Sequence, residues 1–309
     1  MASNSDSPVP LVGPVEVGVL VDTVLFGCAL LQSCVYYKNS QRDRWPLKGL
    51  VALVLFFLIA HFGLLIGWLW NTEVAVGGAA EPAYASVILG VVSILGAIVM
   101  VIGRCFFLSR IWKMSDNRLL ASIFCILCAF TFTVALVASR AFFTPSTSDL
   151  TSQLNGDWII PLAMVSALVC DLLTTTTISL YLRAQAHIAV TQFVLSPSER
   201  NPLTNTLHST TGTIGLLCLW AIEANLLTSS LDIAVVLSYW LAKDSFAWFA
   251  LYTLMPGVFA NSLLAAIHSR DRLVVDIEQC AIKMDNTLID QRRARVSPAR
   301  STPASIKID

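Results

Sequence analysis

The chain has 309 residues, of which 56% are hydrophobic and only 13% charged. A water-soluble domain carries about a quarter charged residues, so this chain has too little polar surface to face water on all sides. The formal net charge is zero, which argues against a nucleic-acid partner.

A helix needs about 20 mainly apolar residues to cross the hydrocarbon core, and seven stretches meet that requirement. Met1 to Pro10 contain no basic residue, and the apolar run that follows is too long for the core of a cleaved leader, so it reads as a signal anchor. The first span is expected from Val15 to Tyr37, the second from Leu47 to Trp70 and the third from Tyr84 to Leu108. The fourth covers Leu119 to Phe143 and the fifth Trp158 to Leu182. A sixth opens near Leu207 and continues to about Leu231, where Asp232 interrupts an apolar run reaching Tyr239 and Leu241. The seventh runs from Phe246 to Ile267. The fold class is therefore all-α, a polytopic seven-helix transmembrane bundle. A short polar segment occupies 1–12, the helical domain 13–270 and a basic tail 271–309, with disorder expected from about Met284.

Orientation follows from the basic residues between spans. Lys38, Arg42, Arg44 and Lys48 lie in the first connection, and Arg104, Arg110, Lys113 and Arg118 at the third, where Arg104 reads as a helix-end residue that snorkels. Arg183 and Arg200 lie in the fifth, and eight more follow the seventh span. Only Arg140 and Lys243 fall on the opposite side, so eighteen of the twenty basic residues share one face. Placing that face in the cytoplasm puts the N-terminus outside and the C-terminus inside. Aromatic residues should mark both headgroup levels: Tyr36, Tyr37, Trp45, Trp112 and Tyr181 inside, and Trp68, Trp70, Tyr84, Trp158, Tyr239, Trp240 and Trp248 outside. A plasma-membrane location is expected, with the lipid bilayer as the principal partner.

The tail carries Arg292, Arg293 and Arg295 ahead of Ser297-Pro298 and Thr302-Pro303. Such a cluster beside a membrane suits anionic lipid, and Ser297 and Thr302 are candidate phosphorylation sites that would weaken that attraction. Ordinary positive-inside charge on a floppy tail explains the same residues. Most of the eight cysteines lie in or at the ends of apolar runs and read as packing residues; Cys125 and Cys128 form a C-x-x-C with no second pair, so neither metal nor redox chemistry is expected. Gly63, Gly67, Gly90, Gly96 and Gly103 read as places where helices approach closely.

Ionisable groups within a membrane tend to face the bundle interior and to carry function. Asp22 lies in the first span, His61 in the second, Asp171 in the fifth, Glu223 and Asn225 in the sixth, and Asn261 in the seventh. Together they form the candidate intramembrane polar site. Asp171 precedes the run Thr174 to Thr177, and Asp171 and Glu223 are both expected near mid-depth on neighbouring helices, where they would line a polar cavity. Structural hydrogen bonding to Thr, Ser or Asn is the alternative role for each.

No catalytic motif is present, and no cofactor is implied. The four histidines (His61, His187, His208 and His268) make no H-x-x-x-H or H-E-x-x-H pair. The seventh span holds no lysine for a retinal Schiff base, and Arg110-Ile111-Trp112 and Met255-Pro256 do not fit the usual signatures of G-protein-coupled receptors.

Ordered local patterns do resemble one family. Gly13-Pro14, Gln32, Tyr36-Tyr37, Asp43-Arg44-Trp45-Pro46-Leu47-Lys48 and Phe106 to Ile111 occur in the first half. Asp171 to Ser179, Leu182-Arg183, Thr211-Gly212 and Ala260-Asn261-Ser262-Leu263-Leu264-Ala265 follow, then Ser269-Arg270. In order and spacing these are similar to a fungal, mainly basidiomycete, seven-helix membrane family known as domain of unknown function 6534. The chain departs from it at His268, where the family usually has Asn, and in the proline of the D-R-x-x-L-K stretch. The resemblance implies a seven-helix membrane fold over about Gly13 to Arg270 and carries no activity with it. Two function classes follow: a receptor-like sensor or interaction protein, and alternatively a transporter or channel for a small solute using Asp171 and Glu223. A transporter needs a polar path to both faces, whereas a pocket open at one end only favours a sensor.

Overall fold

The computed structural model describes residues 12–39, 45–72, 82–115, 118–143, 158–195, 225–242 and 245–268. Seven helices appear there: α1 (Val12–Asn39), α2 (Trp45–Trp70), α3 (Pro82–Ser115), α4 (Arg118–Ser139, followed by a 3-10 turn at Arg140–Phe143), α5 (Ile159–Leu195), α6 (Asn225–Leu241) and α7 (Ala247–His268). Six of them are long and apolar enough to cross a membrane. The protein is an all-α, multi-pass membrane protein.

Its exposed surface is what a bilayer requires. Leu20, Val24, Leu31, Phe56, Leu119 and Ile126 are all more than 60% exposed, while Asp22, His61, Arg104, Asp171 and Asp232 are buried. In water that arrangement would forfeit hydrophobic stabilisation at every exposed side chain; in lipid, only the polar groups need shelter.

The fifth apolar span, expected to stop at Leu182, ends at Tyr181, while its helix α5 continues to Leu195, because Ala184 to Leu195 contains no Gly or Pro and Pro197 is the first breaker. Asp232 does not end the sixth helix, which runs through it to Leu241. The carboxyl group is buried within electrostatic range of Arg104, as described below. The first part of the sixth span, from Leu207 to Ala224, lies outside the described residues, as do Glu223, the 1–11 segment and the tail with Ser297 and Thr302.

The helix α7 is the hub, with 78% of its apolar window buried against 22% for α4. Small residues admit it. A Cβ at Gly96 would stand 2.9 Å from Pro256 Cγ, one at Gly103 2.8 Å from Phe259 Cδ1, and one at Gly18 3.0 Å from the Ala250 carbonyl oxygen. Gly90 is equally tight against Phe142 and Phe143. Gly63 and Gly67, by contrast, would meet nothing within 4 Å, so they are not contact glycines.

Apolar clusters occupy both ends of the bundle. Val15, Leu65, Trp68, Leu89, Phe142, Tyr239, Trp248 and Phe249 belong to one; Ala29, Tyr36, Val54, Leu58, Leu263 and Ile267 form another at the opposite end. Trp45, Trp70, Trp112, Trp158 and Trp240 are exposed near helix ends, as a headgroup belt demands. Tyr36, Trp68, Tyr239 and Trp248 are at most 3% exposed and therefore pack inside the bundle instead. Tyr239 and Trp248 meet edge to face at 5.7 Å, closing the α6–α7 corner. There Phe246 adopts a left-handed φ of 53°, a strained conformation for a residue with a side chain, held by burial of its ring against Trp248 and Phe249.

Candidate functional site

Three charged side chains from three helices converge at mid-bundle. Arg104 of α3 donates to Asp171 of α5 in a two-point fork, Nε to Oδ1 at 2.8 Å and Nη2 to Oδ2 at 3.1 Å. Both residues are buried. The planar guanidinium matches a carboxylate in this way, where a lysine would give a single contact. Arg104 Cζ also lies 5.2 Å from the Phe259 ring centre on α7, so its flat face is covered. The third group, Asp232 of α6, is within electrostatic range of both Asp171 and Arg104, and its Oδ2 is buried without a hydrogen-bond partner.

Hydroxyl groups extend the cluster one turn along α5. Thr175 donates to the Asp171 carbonyl at 2.7 Å and stands 3.0 Å from Ser229 Oγ and 3.3 Å from the Asn225 carbonyl oxygen. The threonine run thus fastens α5 to α6 through Thr175, while Thr174 bonds back to Cys170 within its own helix. Next to them the Cys128 and Cys170 sulfurs lie 3.9 Å apart.

Above Arg104 and Asp232 lies a cavity of about 70 Å³ enclosed by α3 to α7. Trp248, Phe249, Tyr252, Phe142, Ile160 and Met164 line it toward the end where α5 and α7 begin, and Ser93, Thr131 and Ser139 add hydroxyls to the wall. Its walls are mainly apolar and its charge is concentrated on the floor. On the far side of the floor, Phe107, Ile111, Ile178 and Ala266 pack together. Among the described residues, that cluster separates the floor from the opposite end of the bundle.

Asp22, His61 and Asn261 form a separate group between α1, α2 and α7. His61 Nδ1 lies 4.0 Å from Asp22 Oδ2, and Asn261 Nδ2 donates to the Leu25 and Gly257 carbonyls at 2.8 Å each.

The six residues expected to make one polar site are thus divided. Asp171 and Asn225 are in the α3–α5–α6 cluster; Asp22, His61 and Asn261 are in the other; Glu223 lies outside the described residues. Arg104 does not snorkel to the interface, because Asp171 holds it inside the bundle. Sequence reasoning passed over Arg104 and Asp232 as functional groups. The available signal was charge complementarity: one arginine and two aspartates embedded in apolar runs must find one another or lose heavily to desolvation.

A family model described as "Family of unknown function (DUF6534)" matches residues 167–272, a stretch spanning Asp171, Asn225, Asp232 and all of α7 but less than half of the chain. No curated protein and no solved structure matches the chain.

Proposed function

We propose that the protein is a seven-span, non-catalytic, receptor-like sensor of the plasma membrane, oriented N-out and C-in, and a member of the fungal family it resembles over its whole helical domain. The observation that carries this reading is the mainly apolar cavity with Arg104 and Asp232 among its lining. Arg104 gives one edge of its guanidinium, Nε and Nη2, to Asp171, and Asp232 retains an Oδ2 with no hydrogen-bond partner. The fitting ligand is compact and mostly apolar, with one protonated amine or strong donor group set against Asp232 and its body among Trp248, Phe249 and Tyr252. On this reading the ligand enters from the end of the bundle where α5 and α7 begin, near Trp248 and Ile160, the end that the positive-inside rule predicts to be outside.

The transporter reading keeps the same carboxylates but needs a path through Phe107, Ile111 and Ile178, which are packed side by side. Thermal unfolding of the full chain in nanodiscs, screened against small primary amines and their alcohol isosteres, tests the sensor. Amines should raise the melting temperature of the wild type and leave Asp232→Asn unmoved. Equal responses to amines and alcohols would remove the carboxylate from ligand recognition, and net amine flux into proteoliposomes would replace the sensor with a transporter.

A further inference from the structure

Away from the cavity, α1, α2 and α7 enclose four polar atoms that the surrounding side chains leave unsatisfied. Asp22 is 0% exposed, and neither of its carboxyl oxygens has a hydrogen-bond partner. His61 Nδ1, 4.0 Å from Asp22 Oδ2, is beyond hydrogen-bond length and is also unpartnered. The fourth atom is Asn261 Oδ1. Its identity as oxygen is secure, because Nδ2 faces two carbonyl acceptors, those of Leu25 and Gly257.

The helices are shaped to admit the carboxylate. A Cβ at residue 257 would stand 2.8 Å from Asp22 Oδ1, so Asp22 reaches the α7 backbone only because Gly257 has no side chain. Asn261 lies about one turn along α7 from Gly257, and its Nδ2 bonds the carbonyl of Leu25, about one turn along α1 from Asp22, so the amide and the carboxylate stand about one turn apart on the same α1–α7 seam. That seam is rich in acceptors and poor in donors. Arg104 is engaged by Asp171, and no charged side chain among the described residues offsets Asp22.

We infer that Asp22, His61 and Asn261 form a binding site for one desolvated monovalent cation, with sodium the fitting ion. The carboxylate and amide oxygens suit a hard cation, with the imidazole nitrogen a weaker, auxiliary donor. A single carboxylate neutralises one positive charge, whereas a divalent ion would leave an uncompensated charge in a low-dielectric interior. Hard cations hold ligands at roughly 2.3–2.6 Å, close enough to touch both atoms of a pair 4.0 Å apart. His61 contributes the Nδ1 lone pair in the tautomer that carries its proton on Nε2. Bound there, the ion joins α1 and α2 to α7, the helix whose Trp248, Tyr252 and Met255 also line the cavity.

The test is thermal unfolding of the full-length protein in nanodiscs, at fixed pH and ionic strength, in sodium, potassium or N-methylglucamine chloride. Sodium should raise the wild-type melting temperature saturably by several degrees, and potassium by less, since a ligand that binds only the folded state stabilises it by mass action. Asp22→Asn, which keeps the shape and removes the charge, should lose the sodium shift while melting in N-methylglucamine no lower than the wild type. Gly257→Ala should lose it as well; if that variant does not fold, Asp22→Asn decides alone. Identical wild-type melting in sodium and N-methylglucamine would overturn the site. So would a sodium shift that survives Asp22→Asn, or a melting temperature that responds to pH and not to the cation.

Discussion

At the scale of single residues, the Arg104–Asp171 fork decides whether the middle of the bundle can stay dry. Removing one member of a buried pair costs far more than the pair contributes, because the survivor keeps its charge and loses its partner. Arg104→Ala strands Asp171, with Asp232 nearby, as two buried carboxylates. It should destabilise the protein by about 3–5 kcal/mol, read as a lower melting temperature in nanodiscs. Replacing both members, Arg104→Met with Asp171→Leu, should recover most of that loss, since an apolar pair of similar volume carries no desolvation penalty. A double variant as unstable as Arg104→Ala would mean that the fork contributes specific structure beyond neutralising charge. Thr175 gives a milder case. Its hydroxyl links α5 to Ser229 and the Asn225 carbonyl, and Thr175→Val keeps the shape while removing that link, at a cost of about 0.5–1.5 kcal/mol in melting stability.

Helices are where the sequence was most legible, and the reasons for its failures are local. Hydropathy placed the six helices long enough to cross a membrane, because about 20 apolar residues in a row have no other stable arrangement. It placed the end of the fifth span but not the end of α5, since a Gly- and Pro-free stretch continues a helix without continuing a span. It could not say which glycines face a neighbour: Gly63 and Gly103 look alike in the sequence, and only packing separates them. Nor could it divide the buried polar groups between two sites, because that requires knowing that Asp22 faces α7 while Asp171 faces α3. The glycine distinction is testable. Gly103→Ala pushes a methyl group to 2.8 Å from Phe259 and should destabilise by about 1–3 kcal/mol, as overpacking does. Gly67→Ala adds a methyl group in open space on a helical residue and should be neutral or stabilising by up to about 1 kcal/mol. Equal effects of the two in the same melting assay would mean that α3 and α7 do not meet at this point.

For the whole molecule, the outstanding quantity is the parity of crossings. With 17 residues, α6 is about 26 Å long at 1.5 Å per residue, somewhat short of a hydrocarbon core of about 30 Å. Its link to α5 through Thr175 and Ser229 places it inside the bundle all the same, and the apolar residues from Leu207 onward are available to complete the span. Seven crossings put the termini on opposite sides; six put them together. Burial of Arg104 changes the charge count without changing its direction: removing it from the eighteen leaves seventeen basic residues on the inner side against two. The positive-inside rule then predicts that the segment before Gly13 is outside and the tail after Arg270 inside. Tags at the two ends should show this in intact cells, the N-terminal one open to an impermeant antibody and the C-terminal one reached only after permeabilisation. Both tags accessible on the same side would mean an even number of crossings. Because α7 begins at the same end as α5 and contributes Trp248, Phe249, Tyr252 and Met255 to the cavity wall, an inverted result, with the C-terminal tag outside, would turn that end of the cavity to the cytoplasm. A sensor so placed would read a ligand made inside the cell.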